Sequence, residues 1–538
     1  MSRFLASVRR SSSAGFARLR DLIVPCSGVR WAWLLLLVWS GAWGAERYFA
    51  PESRCANNGD GTSNVCAASA GAAGMWRGDA NIAWASVNPG DTLYGCGDWQ
   101  PTDARITIED SGAAGNYITL SGNAAACGRA SNSTIDRTGL TGAGARAIAA
   151  SNTAATRQYI RIEDLTIRNV SAGILWDYST TGAVSDDTSL WVRRVKFENC
   201  GTSSGTDGDC IWKRGEGLIV EDSSFEGCWE DCIWYRGKGA SIVRNRFSRV
   251  SFGGALGDCT QIDLTGVTDM GAVNWSRNHC DHTAADNKYG LVIGPMIGAG
   301  SSVLAYENIV LCPLVPTNPV PANQCHPLYF DAHADTAISI FRNFTQGGEV
   351  GISLTAASAA AFSTRAQIAG NIVYKASDRG IWTDANVDNI DIWNNVVSEA
   401  GQEALYIGKS GAALNANNNV LVNSGAGIFY ITPPTSRGFN SYHGNALNVD
   451  VNGSVGSTTT GDVTSNPRFI GGTNPTTAEG FRPSTNSPLC GAGAYTDAKY
   501  DYNHERMPLP RDIGALNCRS SEARTRSSAG TRTARTIN

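Results

Sequence analysis

The segment Gly217-Leu-Ile-Val-Glu-Asp-Ser-Ser-Phe225 carries a pattern that recurs through the middle of the chain. Three further segments align with it, at residues 240–247, 366–373 and 390–397. Each holds an apolar strand, a short turn and a second apolar strand, and about ten such rungs, of roughly 22 to 35 residues each, run from Tyr159 to Tyr430. One rung alone cannot bury its apolar edge, so the rungs are predicted to stack.

Asparagine recurs at one place in these rungs, just before an apolar pair or triplet. The recurring residues are Asn245, Asn278, Asn308, Asn343, Asn371, Asn394 and Asn418. Asparagine tolerates left-handed backbone angles at a tight bend, and stacked asparagine side chains can form a hydrogen-bonded ladder. The repeat therefore predicts a regular bend in every rung.

Composition agrees with strands and turns. Only 17% of the 538 residues are charged and 60 are glycine, a profile more typical of strands and turns than of helices. Because a repetitive solenoid can absorb this length without splitting, we expect one β-domain. The formal net charge of −4 includes a basic N-terminus and a basic tail, so the body is more acidic than the whole, and nucleic acid is not an expected partner.

The N-terminus has the layout of a secretory signal peptide. Six arginines and one acidic residue precede Gly44, and the apolar stretch from Trp31 to Trp39 is followed by small residues. That stretch is too short to span a membrane. We therefore expect a secreted or periplasmic protein, monomeric by default, with no integral membrane segment after removal of residues 1–44. Of fifteen cysteines, fourteen lie beyond Cys26, an even number that suits disulfides in an oxidising compartment.

Motifs at both ends point to a family. The N-terminal part holds Tyr48-Phe-Ala-Pro51, Asn57-Asn-Gly-Asp-Gly-Thr62 and Asn88-Pro-Gly-Asp-Thr-Leu-Tyr94, and the C-terminal part holds Asn466-Pro-Arg-Phe469, Phe481-Arg-Pro483, Asn486-Ser-Pro-Leu489 and Asp512-Ile-Gly-Ala515. With the rungs, these segments resemble secreted right-handed parallel β-helix proteins, the pectate-lyase-like polysaccharide lyases and uronan epimerases.

The resemblance implies an all-β, single-stranded right-handed parallel β-helix with N- and C-terminal caps. Its expected divisions are an N-terminal cap and first coils at 45–150, a central helix at 151–432, C-terminal coils and cap at 433–518, and a flexible arginine-rich tail at 519–538. This architecture carries lyases, hydrolases, epimerases and adhesins.

Cysteines fit the predicted stack. Neighbouring strands lie about 4.8 Å apart, which a disulfide accepts, so Cys200 is expected to pair with Cys228 and Cys210 with Cys232. Cys55 with Cys66, and Cys490 with Cys518, would pin the caps.

The second strand of each rung aligns on an apolar anchor, and strand alternation makes the next position point outward. The outward column reads Trp212, Trp234, Gln261, Val292, Tyr329, Ser353, Trp382, Tyr406 and Phe429. Two residues further lie Arg214, Arg236, Asp263, Gly294, Asp331, Thr355, Asp384 and Gly408. Aromatic faces suit sugar rings and arginine suits carboxylates, so Trp212, Arg214, Trp234, Asp263 and Trp382 are predicted to bind a polysaccharide, unless loops fold over the aromatics and make them core.

The densest functional cluster in this strip runs from His326 to Thr336. Asp331-Ala332-His333 resembles the Asp-Pro-His motif of alginate C5-epimerases, with Ala332 in place of proline and Tyr329 one residue nearer the aspartate. In that family the His and Asp act in proton transfer at the uronate, so the resemblance implies a catalytic role for Asp331 as well as for His333. His333 is predicted as base or acid, Tyr329 as the proton donor to the leaving oxygen, and Arg236 or Arg214 as the partner of the uronate carboxylate. The alternative is a turn histidine bonded to a backbone carbonyl.

An acidic column, Asp209, Asp231, Asp258 and Asp286, stands just before the same strands. Stacked carboxylates require a cation, an arginine or solvent, and the resemblance implies calcium; aspartates that merely begin strands are the alternative.

Three functions remain open from sequence. The first is a lyase acting on a uronate-containing polysaccharide by C5 proton abstraction and β-elimination, with a C5-epimerase as its close relative. The second is a glycoside hydrolase using Asp258, Asp263 or Asp331. The third is a non-catalytic glycan-binding or adhesin module.

Overall fold

The structure is a computed structural model. It describes residues 44–150, 157–176, 187–201, 208–250, 257–263, 271–283, 290–294, 301–314, 325–332, 336–356, 366–384, 387, 389–408, 414–494, 496, 500–507, 509 and 511–518. Apart from Gly44, the predicted signal peptide and the predicted tail lie outside these residues.

The chain winds through three sheets, and each turn adds one strand to each sheet in the order sheet 1, sheet 2, sheet 3. Sheet 1 comprises β2 (Trp76–Arg77), β1 (Glu46–Ala50), β3 (Thr92–Gly95), β6 (Ile118–Ser121), β9 (Ile160–Glu163), β12 (Asp187–Arg193), β15 (Glu216–Glu221), β18 (Ala240–Val243), β21 (Ala272–Ser276), β24 (Ser302–Tyr306), β27 (Ala337–Phe341), β30 (Ala366–Ala369), β33 (Ile390–Trp393), β36 (Leu414–Asn417) and β39 (Ser436–Gly438). Sheet 2 comprises β4 (Asp98–Trp99), β7 (Thr134–Asp136), β10 (Thr166–Val170), β13 (Lys196–Cys200), β16 (Ser224–Cys228), β19 (Arg246–Val250), β22 (His279–Asp281), β25 (Ile309–Leu311), β28 (Phe344–Gln346), β31 (Ile372–Tyr374), β34 (Val396–Ser398), β37 (Val420–Val422) and β40 (Ser441–His443).

Sheet 3 carries the predicted groove. It comprises β42 (Ser454–Val455), β41 (Leu447–Val451), β38 (Ala426–Tyr430), β35 (Glu403–Ile407), β32 (Arg379–Thr383), β29 (Val350–Ala356), β26 (Leu328–Ala332), β23 (Leu291–Gly294), β20 (Thr260–Asp263), β17 (Ile233–Arg236), β14 (Ile211–Arg214), β11 (Ile174–Trp176), β8 (Ile148–Ala150) and β5 (Ile106–Ile108). Among the strands of the described residues, β42 alone pairs antiparallel, with β41. Short 3-10 helices cover Asp79–Asn81, Trp84–Ser86, Gly142–Ala145 and Glu479–Phe481, and the described residues contain no α-helix.

The all-β right-handed parallel β-helix is therefore confirmed, with three strands per turn rather than the two that the rung pattern predicts. The segment from Gly217 to Phe225 contributes to one strand of sheet 1 and one strand of sheet 2. The third strand of each turn lies in sheet 3. Strands of the three sheets continue across the expected divisions at 150 and 432, which stay predictions. No helix among the described residues is long and apolar enough to cross a membrane.

Stacked identical side chains fill the interior. Phe197, Phe225 and Phe247 occupy one register position of sheet 2, and their ring centroids are 4.7 and 4.9 Å apart in succession. The predicted anchors of sheet 3 are buried in the same interior. Each turn thus covers the apolar edge of the one below, which explains why a single rung is not stable alone.

Asparagines form the predicted ladder at the corner between sheets 1 and 2. Its members are Asn245, Asn278, Asn308, Asn343, Asn371, Asn395, Asn419 and Asn440. The assignment of Asn394 and Asn418 to it is wrong by one residue. Both have positive φ, of 54° and 58°, and their side chains bond the C-terminal cap instead. The left-handed bend falls on the residue before the ladder asparagine, where Arg244, for example, has φ of 59°.

The C-terminal cap packs on sheet 2. Phe469, Phe481 and Leu516 form a separate core cluster with Tyr374 and Val420 of that sheet. Because the cap covers sheet 2, it does not occupy the outer face of sheet 3, where the predicted groove lies.

Disulfides pin both caps as expected, through Cys55–Cys66 and Cys490–Cys518. The other bonds in the described residues are Cys96–Cys127, Cys228–Cys232, Cys259–Cys280 and Cys312–Cys325.

The predicted pairs Cys200–Cys228 and Cys210–Cys232 are wrong. Cys200 and Cys228 do stack in register, but Cys228 bonds Cys232 around the corner from sheet 2 to sheet 3, where the Cα atoms are 5.3 Å apart. Cys200 and Cys210 are buried thiols.

Candidate functional site

The outward column of sheet 3 has the predicted register. Strand pairing aligns Trp212, Trp234, Gln261, Val292, Tyr329, Ser353, Trp382, Tyr406 and Phe429 on successive turns. We call this outer face the groove. We call its part on β14, β17 and β20 the cationic half, and its part on β26, β29, β32 and β35 the acidic half.

Two tryptophans and two arginines form the cationic half. The rings of Trp212 and Trp234 stack with centroids 4.7 Å apart and an interplanar angle of 9°. The Arg214 guanidinium lies 4.6 Å from the Trp212 ring centroid. Trp212 is consequently only 4% exposed, so it supports the half-buried Trp234 rather than offering its own face to a sugar. Trp212 is therefore buried, although its cover in the described residues is Arg214 rather than a loop.

Arg236 and Asp263, predicted as separate site residues, form one ion pair. Arg236 Nε donates to Asp263 Oδ2 at 3.0 Å, and the guanidinium carbon lies 5.3 Å from the Trp234 ring centroid. Both side chains are half-buried. A substrate carboxylate would therefore have to share or replace Asp263 as the partner of Arg236, and the assigned role of Arg236 stays a prediction.

Thr355 joins the two predicted catalytic residues on β26. The Thr355 hydroxyl lies 3.3 Å from Tyr329 Oη and 3.4 Å from Asp331 Oδ1, and it also contacts the Phe330 carbonyl oxygen at 3.3 Å. Tyr329 and Asp331 are thus held together at the centre of the groove. His333 lies outside the described residues, so its role stays a prediction.

The sequence analysis included His326 in its cluster without a role, and it missed Glu349, Asp378, Arg379 and Glu403 at the start of the acidic strands. His326 Nε2 lies 3.1 Å from Glu349 Oε2, and the His326 ring packs edge-on to Tyr329 with centroids 6.1 Å apart. Arg379 pairs with Glu403 on the next turn and with its neighbour Asp378, both at 3.0 Å. These residues precede the apolar anchor by two or three positions, at or just before the first residue of each strand, where inward and outward alternation is not yet regular. Their recurrence just before each anchor was the available signal.

Burial and hydrogen bonding shift the pKa values of Glu349, Asp378 and Glu403 in different directions. The hydrogen bond with His326 lowers the pKa of Glu349, whereas burial raises the pKa of Asp378 and of Glu403. Glu349 is therefore the most firmly ionised of the three.

Aromatic side chains line the groove on β32, β35 and β38. Tyr406 and Phe429 stack with centroids 4.6 Å apart, and Arg379 lies 4.4 Å from the Tyr406 centroid and 5.6 Å from that of Trp382. Trp382, Tyr406 and Phe429 are all half-buried, so part of each ring remains on the surface. The predicted binding residue Trp382 is thus placed in the groove beside a cation.

The acidic column forms a buried ladder at the corner between sheets 2 and 3. Asp209, Asp231 and Asp258 are buried, and each of the first two accepts the backbone N–H of the next at 3.0 and 2.7 Å. Burial raises the pKa of Asp209 and Asp231 well above the ordinary range. Asp286 lies outside the described residues.

Calcium fits these three carboxyls poorly. The ion takes six to eight oxygen ligands, whereas these three carboxyls are buried and one oxygen each of Asp209 and Asp231 already accepts a backbone N–H. The geometry favours the alternative that these aspartates bond the backbone where the strands begin, and calcium binding stays a prediction.

No family model and no curated protein matches this sequence. Among solved structures, the chain is similar to the pectate lyase Pel9A at 14% identity and a TM-score of 0.36, over 88% of this chain and 96% of that one. It is similar to a PL6-family alginate lyase at 11% identity and a TM-score of 0.32, over 87% and 58%. It is also similar to the A-module of an Azotobacter vinelandii mannuronan C-5 epimerase at 10% identity and a TM-score of 0.33, over 79% and 91%. The parallel β-helix assignment rests on the three sheets and their register, independently of these likenesses.

Proposed function

We propose that this protein is exported, binds a uronate-containing polysaccharide along the groove and cleaves it by β-elimination. One observation carries the proposal: strand pairing aligns Trp234, Tyr329 and Trp382 at one position of the outer face of sheet 3, and Arg236 lies two residues beyond Trp234 on the same strand. The disulfides support export, because such bonds persist in oxidising compartments.

The groups of the groove match the steps of the reaction. The exposed parts of Trp234 and Trp382 would hold sugar faces. Arg214 and Arg236, four and three turns from Tyr329 at about 4.8 Å per turn, would bind carboxylates of uronates further along the polymer and so hold it in register. A base, for which we propose His333, removes that proton, the C4–O bond breaks, a C4=C5 double bond forms and Tyr329 protonates the leaving oxygen.

The test is a panel of pectate, alginate, a glycosaminoglycan and glucuronan, each with and without calcium. Unsaturated product is followed by its ultraviolet absorbance, and reducing ends are measured in parallel. We expect both signals on at least one polymer. Reducing ends without absorbance would instead identify a hydrolase, C5 inversion without cleavage an epimerase, and binding without product an adhesin module.

Variants test the assigned residues. Arg236→Ala and His333→Ala should each lower kcat/KM by about 100-fold, the scale of losing one positioned charge or proton-transfer group. Arg249→Ala, which removes an exposed arginine from sheet 2, serves as control. Full activity of both groove variants on a polymer that the wild type degrades would contradict the site.

Trp234→Ala tests binding separately from chemistry. Loss of the ring should weaken polymer affinity by about tenfold through lost stacking. Affinity electrophoresis in gels containing the polymer measures the change, and an unchanged mobility would argue against the groove.

A further inference from the structure

Two cysteines lie outside the six disulfides of the structure. The described residues include all fourteen cysteines beyond Cys26, and the six bonds account for twelve of them. The remaining two are Cys200 and Cys210, whose side chains are fully buried. A pair of reduced thiols contrasts with the other twelve cysteines, which are joined as in proteins of an oxidising compartment.

Cys200 and Cys210 occupy the positions on their turn that Cys228 and Cys232 occupy on the next. Cys200 pairs with Cys228 in the register of sheet 2. Cys210 and Cys232 each directly precede the first residue of a sheet 3 strand, and those two first residues pair with each other. The corner between sheets 2 and 3 is longer in the first turn, where nine residues rather than three separate the cysteines. The bonded pair of the second turn has Cα atoms 5.3 Å apart, a separation typical of disulfides.

Backbone hydrogen bonds join the two turns on both sides of this corner. The Trp229 N–H donates to the Cys200 carbonyl oxygen at 2.7 Å, and the Cys210 N–H donates to the Asp231 carbonyl oxygen at 3.1 Å. Both ends of the longer loop therefore lie against the shorter corner of the next turn. The backbone spacing that allows the Cys228–Cys232 bond is thus repeated one turn earlier.

The sulfur atoms of the two turns lie in one buried cluster. Cys210 Sγ is 2.9 Å from Cys228 Sγ, and the sulfur atoms of Cys210, Cys228 and Cys232 all lie within 4.8 Å of one another. Burial, together with a hydrogen bond to Cys200, raises the pKa of the Cys210 thiol. Cys200 and Cys210 are therefore in side-chain contact, as the formation of a bond between them requires.

We propose that Cys200 and Cys210 form a seventh disulfide in the exported protein, across the same corner as Cys228–Cys232. Each thiol loses one hydrogen, the S–S bond forms, and an external disulfide oxidant of the glutathione class takes up both hydrogens and is reduced to two thiols. Because both sulfur atoms are buried in the folded protein, oxidation takes place during folding, before the neighbouring turns cover them. All fourteen cysteines are then paired.

The bond fixes the entry to the cationic half of the groove. Cys210 directly precedes β14, the strand that carries Trp212 and Arg214. A link from Cys200 to Cys210 closes the loop before this strand and reduces the conformational freedom of the unfolded chain. The inference rests on the export in the proposed function and is independent of its lyase chemistry.

A tryptic digest distinguishes the possible pairings. The protein is purified from an oxidising periplasm, unfolded, alkylated with iodoacetamide without reductant and digested with trypsin. Cys200 and Cys210 fall together in the peptide 197–213, and Cys228 and Cys232 fall together in the peptide 215–236. We expect two separate peptides by mass spectrometry, each unalkylated and two hydrogens lighter than its reduced form.

Serine variants check the assignment by the number of alkylated cysteines. Wild type should show none beyond Cys26, Cys200→Ser should show one per chain, and the double variant Cys200→Ser/Cys210→Ser should again show none. Cys55→Ser is the matched control, because it opens a disulfide of the structure that closes a loop of similar length. It should likewise expose one cysteine per chain to alkylation.

Three results would overturn the inference alone, with the cap disulfides intact. Alkylation of both Cys200 and Cys210 in the wild type would show that the pair stays reduced. Peptides 197–213 and 215–236 joined to each other would show that the bonds run between turns. One zinc ion per native chain, with all four cysteines alkylated after unfolding, would identify a metal–thiolate site instead. Alkylation of the cap cysteines as well would refute the proposed export, and this inference with it.

Discussion

Two corners of the β-helix stack polar side chains, and they do so with opposite chemistry. At the corner of sheets 1 and 2, each ladder asparagine accepts from the backbone N–H of the preceding turn, and most donate to the next asparagine and to a strand carbonyl. At the corner of sheets 2 and 3, Asp209 and Asp231 each accept one backbone N–H, but an aspartate has no amide to donate. The asparagine ladder satisfies its own members, whereas the aspartate ladder carries ionisable groups in a buried position.

The difference separates a structural corner from the corner beside the groove. The aspartates stand two residues before the anchors of β14, β17 and β20, directly before the cationic half. Burial there raises the pKa of Asp209 and Asp231, so this corner responds to pH whereas a neutral asparagine ladder does not.

The largest effect is expected from breaking the asparagine ladder. Asn343→Ala removes the acceptor of the Asn308 backbone and side chain and the donor to the Ala305 carbonyl. Several buried groups lose partners, so the free energy of unfolding should fall by about 3 kcal/mol or more. Urea denaturation followed by circular dichroism measures it, with the exposed Asn474→Ala as control. A loss no larger than that of the control would show that the ladder contributes little.

Sequence predicted this ladder because its spacing is set by one repeated bend. Where two asparagines adjoin, as at 394–395 and 418–419, spacing alone could not decide which one points inward. The structure shows that the first takes the left-handed angle and the second joins the ladder. The left-handed bend and the ladder asparagine therefore occupy two adjacent residues of each turn.

The candidate site was predictable only where strand geometry applies. Alternation placed Trp234, Tyr329 and Trp382 correctly, because their outward direction follows from the buried anchor. It could not reveal that Trp212 is covered by Arg214, or that His326 meets Glu349, since these contacts depend on side-chain conformations and on turn residues. The Cys228–Cys232 disulfide could not be predicted for the same reason, because it joins two residues across a corner.

A smaller effect is expected from replacing one aspartate of the aspartate ladder with asparagine, the residue of the other ladder. Burial raises the pKa of Asp231 in the folded protein. As the pH rises above about 4, the ordinary pKa of aspartate, the unfolded chain loses this proton before the folded protein does. The free energy of unfolding therefore falls as the pH rises. Asp231→Asn keeps the acceptor oxygen and removes the ionisation. At pH 7 it should be more stable than the wild type by about 1 kcal/mol, and the difference should vanish toward pH 4. Thermal unfolding across this pH range measures it.

Calcium would reverse that result. If an ion bound the aspartate ladder, Asp231→Asn would destabilise the protein at pH 7, and chelation would lower the unfolding midpoint of the wild type but not of the variant. The two outcomes have opposite signs, so one titration distinguishes the predicted calcium site from a proton-bearing ladder.

The smallest effect concerns the ion pairs outside the asparagine ladder. Arg244, on the left-handed residue before Asn245, bonds Asp222 at 2.6 Å and Glu221 at 2.9 Å on the preceding turn, but it is 43% exposed. Solvent and salt screen such pairs, so Arg244→Gln should lower the free energy of unfolding by only about 0.5 kcal/mol at low ionic strength. At 1 M salt, where the screening length is about 3 Å, the loss should nearly disappear. Urea midpoints at both salt concentrations test this, and a loss that persists at high salt would mean that the arginine stabilises the bend by packing rather than by charge.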